Sequence, residues 1–126
     1  MLYIENTLHF RESALVISVL IVFMVIDFLT GIVAASVFKT GKHETDGLSS
    51  KTCWKGLYKK GVALLLCFMS ALFDILLGTK FILYTVAIGF IVSESISIIE
   101  NAGLMGVPIP AALKDAIAVL KSKGER

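Results

Sequence analysis

Three long stretches of this chain carry a single charged side chain each. Residues 13–38 hold only Asp27, residues 61–79 only Asp74, and residues 81–99 only Glu94. A helix rises about 1.5 Å per residue, and about 20 mainly apolar residues cross a bilayer. Each stretch is long enough to do so. Gly78, Thr79 and Lys80 form the turn between the second and third stretches. So short a connection forces an antiparallel helical hairpin. Residues 39–60 tether the first stretch more loosely, which leaves it freer to move against the hairpin.

The polar segments add two shorter elements. In SSKTCWKGLYKK, residues 49–60, Trp54, Leu57 and Tyr58 fall on one helical face beside Lys55, Lys59 and Lys60. That mixture predicts a short interfacial helix against anionic headgroups. The alternative is a solvated loop ending in aromatic belt residues. After the third stretch, Gly103, Gly106, Pro108 and Pro110 interrupt the helix, and Pro110 is suited to open another. There Leu113, Ile117 and Leu120 share a face, away from Lys114, Asp115 and Lys121. This predicts an amphipathic tail helix, lying on the inner membrane surface or on a neighbouring subunit.

Composition turns these elements into a fold class. The 126 residues suggest one domain, 1–126, and 56% of them are hydrophobic. Ordinary soluble domains hold about 45–50% apolar residues. A soluble chain of this size would have too little polar surface to cover three such stretches. The expectation is an all-α membrane protein: three transmembrane helices, the last two a tight hairpin, plus a short C-terminal amphipathic helix. A cleaved signal peptide does not fit the first stretch. Its apolar run is too long, and Glu5 and Glu12 outweigh Arg11 ahead of it.

The net charge of +2 hides an asymmetry. Ten of the 12 basic residues lie in the 39–60 connection and the 100–126 tail, which three crossings place on one side. The positive-inside tendency makes that side cytoplasmic, so the N-terminus and the Lys80 turn are outside. The expected location is a bacterial cytoplasmic membrane, crossed several times. Cys53 and Cys67 read as free thiols, and His9 and His43 are isolated. No metal-ligand spacing, nucleophile–base set or phosphate loop stands out, so neither an enzyme nor a cofactor is expected. Nothing points to a nucleic-acid partner.

The three acids sit on or beside stripes of small, weakly polar residues. Asp27, Gly31 and Ala35 are spaced by four, with Thr30 and Ala34 alongside. Ala63, Cys67, Ser70 or Ala71, Asp74 and Gly78 form a second stripe. Thr85, Gly89, Ser93 and Ser97 form a third, flanked by Glu94 and followed by Glu100 and Asn101. Small residues at this spacing let helices approach closely in lipid. No Lys or Arg lies inside any of the three stretches. An acid there is cheap to ionise only where water reaches it. Three readings stand: helix packing alone, packing that gives way to a water-lined lumen in an oligomer, and a proton relay.

Three segments carry a resemblance: DFLTG at 27–31, SSKTCWKGLYKK at 49–60 and ESISIIENAGLMGVPIPAAL at 94–113. Over roughly residues 15–120 the chain resembles phage holins of the toxin secretion/phage lysis type. Asp27, Thr30 and Gly31 match the family's first-span motif. Ser50, Gly56 and Lys60 match its loop. Glu94, Ser97, Glu100 and Asn101 match the close of its last span. The resemblance implies a self-assembling protein that opens large lesions in the bilayer. The lesions let an endolysin, or a toxin in related systems, reach the wall without necessarily touching the lesion-forming protein, and the host lyses. A small ion or proton channel, or a non-catalytic membrane subunit, is the competing expectation. Against the channel, the chain has no broken central helix, internal repeat or filter-like loop.

Overall fold

The computed structural model describes residues 1–37 and 50–124. Within them lie four helices and no strand: α1 Leu2–Ser36, α2 Ser50–Leu77, α3 Ile82–Leu104 and α4 Ala111–Gly124. The 39–49 part of the connection, with Lys39, Lys42 and His43, lies outside the described residues, as does Arg126. Helices α1, α2 and α3 are each long and apolar enough to cross a membrane. They are rich in Val, Ile and Phe, which are indifferent helix formers in water. In lipid, however, every backbone N–H and C=O must be satisfied within the segment, and a helix does this.

The helices outrun the uncharged stretches. α1 begins eleven residues before its apolar run, carrying Glu5, His9, Arg11 and Glu12 with it. The separate interfacial helix expected at 49–60 is instead the opening turns of α2. No proline separates the two parts, and Gly56 and Gly61 each cost only about 1 kcal/mol in a helix. Trp54 and Tyr58 still pair on its surface, with ring centroids 5.9 Å apart. At the far end of α3, Gly103 stays helical, and the chain breaks at Gly106.

Both helix ends next to a short connection close in the same way. Gly78 and Gly106 adopt left-handed backbone, with φ of 68° and 77°. The Thr79 N–H donates to the Asp74 carbonyl at 2.9 Å, and the Val107 N–H to the Ala102 carbonyl at 3.0 Å. These six-to-one bonds satisfy carbonyls that a helix end leaves orphaned, and glycine takes the required conformation without a Cβ clash.

α3 is the hub. α1, α2 and α4 all pack on it, and α1 does so most extensively. The looser first span expected from its long tether is therefore corrected. Val16, Leu20 and Met24 of α1 join Ala63 and Cys67 of α2 and Ala87, Ile88, Ile91 and Val92 of α3 in one core. Leu20 and Ala87 are fully enclosed. Outward-facing Leu, Ile and Phe remain exposed on all three long helices, the surface a lipid solvent calls for. α4 also departs from expectation: Ile117 and Leu120 pack against this core, within the same chain.

Candidate functional site

Lys60 is the unexpected residue. The sequence pattern sends it to the membrane surface and offers the intramembrane acids no cation. In the structure its Nζ donates to Asp27 Oδ2 at 2.7 Å and to Glu94 Oε2 at 2.6 Å. The three side chains are only 14–15% exposed. One ammonium from α2 thus bridges a carboxylate on α1 and another on α3. The correction has a geometric cause. Because α2 is one unbroken helix, its small-residue stripe continues a turn back from Ala63 and lands on Lys60, turning it inward.

Asn101 completes the centre. Its Nδ2 donates to the Asp27 carbonyl at 3.2 Å, to Asp27 Oδ1 at 3.1 Å and to Thr30 Oγ1 at 2.9 Å. Thr30 in turn donates back to the Ile26 carbonyl at 2.8 Å. Asn101 is 3% exposed, and its amide nitrogen is met by three acceptors on α1. A Cβ on Gly31 would lie 3.6 Å from Asn101 Nδ2, so this face of α1 stays open for the amide. Two motifs separated by some seventy residues therefore recognise each other.

The centre lies in a groove of about 540 Å³ between α1 and α2, floored by α3. It collects most of the candidate residues: Asp27, Gly31, Ala35, Lys55, Lys59, Lys60, Ser93, Glu94, Ser97 and Asn101 all line it. Other candidates lie elsewhere. Trp54, Tyr58, Gly89 and Glu100 are on exposed surface. Ser70 is buried and donates to its own helix at Leu66.

Asp74 belongs to the hairpin rather than the groove. Its Oδ1 accepts the Thr79 hydroxyl at 2.6 Å and the Ile82 N–H at 3.0 Å, and its Oδ2 accepts the Leu83 N–H at 2.9 Å. Phe81, at the start of α3, offers no capping side chain. Asp74 supplies that cap from the preceding helix. A carboxylate at a helix N-terminus meets orphan N–H donors and the positive end of the dipole.

The fold and this centre define a small multi-pass membrane protein whose polar contacts join its spans. The sequence pattern of the bacteriophage holin family matches residues 7–122. An uncharacterised protein of Halalkalibacterium halodurans is 35% identical over 89% of this chain and 82% of its own length. A 14.9 kDa protein from the nagH 3′ region of Clostridium perfringens is 36% identical over 82% of this chain and 75% of its own. A probable holin of Bacillus phage phi105 is 27% identical over 87% and 74%. No solved structure matches. The chain belongs to the bacteriophage holin family, which points to a non-enzymatic role in the membrane.

Proposed function

We propose that the chain accumulates in the bacterial cytoplasmic membrane, N-terminus outside and C-terminus inside, and assembles with its own copies into lesions. The lesions pass a folded wall-degrading enzyme, and the cell lyses. The observation that carries this reading is the family match across residues 7–122. The groove supports it. A cation and two acids inside the bundle satisfy one another within a single chain and can be rearranged when copies crowd together. Gly89 and Ser93, exposed on α3, leave a low surface against which another copy fits closely. A passage wide enough for a folded protein needs many copies, because one bundle of this size encloses none.

Inducible expression beside a cytoplasmic endolysin tests the reading. Growth should stop abruptly, and the endolysin should then reach the wall. Loss of ion gradients with the endolysin retained would overturn it in favour of a small channel. Where the neighbouring gene encodes a secreted toxin instead, the same lesion serves toxin release.

A further inference from the structure

The groove around the inner centre has one basic wall and one apolar wall. On α2, Lys55 and Lys59 line it at a four-residue spacing, which puts both on the same helical face. On α1, Phe28, Ile32 and Ala35 line it. The walls stay apart because α1 and α2 each pack on α3 and scarcely on each other. Lys60 joins them through Asp27, and the groove of about 540 Å³ lies open between them.

Its charges are unequally satisfied. Asp27 and Glu94 line the groove too, but Lys60 answers both. Lys55 and Lys59 are exposed and have no carboxylate partner among the described residues. Three cations against two acids leave the groove one positive charge. An anion is therefore drawn to Lys55 and Lys59 rather than to the inner centre. Trp54 and Tyr58, each one residue ahead of a lysine, are side chains that settle at headgroup level. The uncharged stretch of α2 starts at Gly61, and the groove continues along it to Ala63 and Phe90.

A phosphate joined to a hydrocarbon chain matches both walls at once. Basic pockets between spanning helices take anionic lipid headgroups. We propose that the groove binds one anionic phospholipid, its phosphodiester held by Lys55 and Lys59 and one acyl chain lying against Phe28 and Ile32 between α1 and α2. Seated there, the lipid adds a second link between α1 and α2 beside Lys60. The inference needs only a chain that crosses the bilayer, and it stands whether or not copies assemble into lesions.

Native mass spectrometry of the full-length chain in a neutral detergent tests this, with phosphatidylglycerol as the probe. One lipid per chain should bind saturably, and phosphatidylcholine with the same acyl chains should bind far more weakly. Lys55→Gln with Lys59→Gln should raise the half-saturating concentration about 30-fold, the share that two lysines carry at an anionic lipid surface. Lys121→Gln with Lys123→Gln, on exposed positions of α4 outside the groove, makes the same change in charge and should leave binding as it was. Ile32→Trp fills the apolar wall and should weaken binding without touching a charge. Glycerophosphoglycerol, the headgroup without its chains, should not compete. Equal losses in the two lysine pairs would reduce the effect to general attraction and overturn the proposal. Equal affinity for phosphatidylcholine would overturn the headgroup seat, and competition by glycerophosphoglycerol the acyl seat. Should Ile32→Trp unfold the chain, the lysine pairs and the bare headgroup still decide the matter.

Discussion

Asp74 and the pair Asp27–Glu94 are alike in sequence: each acid sits in or beside a stripe of small residues in an otherwise uncharged run. The structure holds them by different means. Asp74 takes donors from residues five, eight and nine positions away, all in one turn. Asp27 and Glu94 share a cation 33 and 34 positions away, on another helix. A carboxylate bound by local backbone donors is built into its hairpin whatever the neighbouring helices do. A carboxylate answered across three helices depends on their arrangement, and that bond is the one a rearrangement can undo.

The largest effect is expected at Lys60. Lys60→Met removes one ammonium and leaves two carboxylates facing each other, only 14–15% exposed. Removing one partner of a fully buried pair costs about 3–5 kcal/mol, and this trio, half-buried at the wall of a groove, should lose about 3 kcal/mol or less. The variant should melt well below the parent in detergent and should lyse early, since the contact across α1, α2 and α3 is gone. Lys60→Arg keeps the charge and should stay near the parent in both measurements. A normal melting temperature and lysis time for Lys60→Met would erase the contrast with Asp74.

Asn101→Leu comes next. It strands Asp27 Oδ1 and the Thr30 hydroxyl without their amide donor. An unmet buried group costs about 1–3 kcal/mol. Melting in detergent should fall by that order, and a distance probe between α1 and the end of α3 should broaden while α2–α3 distances hold.

Asp74→Ala should be more modest and local. Losing a capping side chain costs about 0.5–2 kcal/mol. Amide exchange at Ile82 and Leu83 should accelerate, while lysis timing follows the intact inner centre. If timing shifts as strongly as in Lys60→Met, the two acidic regions are not functionally distinct.

Much of this architecture is legible in the sequence. The gaps between charges gave three spans, the three-residue turn gave the hairpin, and glycine with proline located the tail helix. The residues of the centre were also singled out one by one, apart from their connection. What was hidden was phase. Lys59 and Lys60 are neighbours at the end of a basic segment, and a separate interfacial helix there sends both to the headgroups. Only a helix continuous from Ser50 turns Lys60 inward and leaves Lys59 at the rim of the groove. The partnership of Asn101 with Asp27 and Thr30 was hidden for a second reason: it depends on the relative height of α1 and α3, which no local periodicity records. Asp74 gave no sign of its capping role because it caps a helix other than its own.

The smallest effect sharpens the comparison at Gly31. The position looks intolerant, because it sits in a small-residue stripe against Asn101. Yet a Cβ there meets Asn101 Nδ2 at 3.6 Å, an ordinary van der Waals distance. Alanine also recovers up to about 1 kcal/mol of helix propensity over glycine. Gly31→Ala should therefore melt within about 1 kcal/mol of the parent and lyse on time. Gly31→Leu extends past that distance into the amide. It should displace Asn101 from Asp27 and behave as a milder Asn101→Leu in the same melting and distance measurements. If alanine disrupts as much as leucine, the stripe is needed for close approach of another helix rather than for room beside Asn101, and α1 meets a second copy at this face.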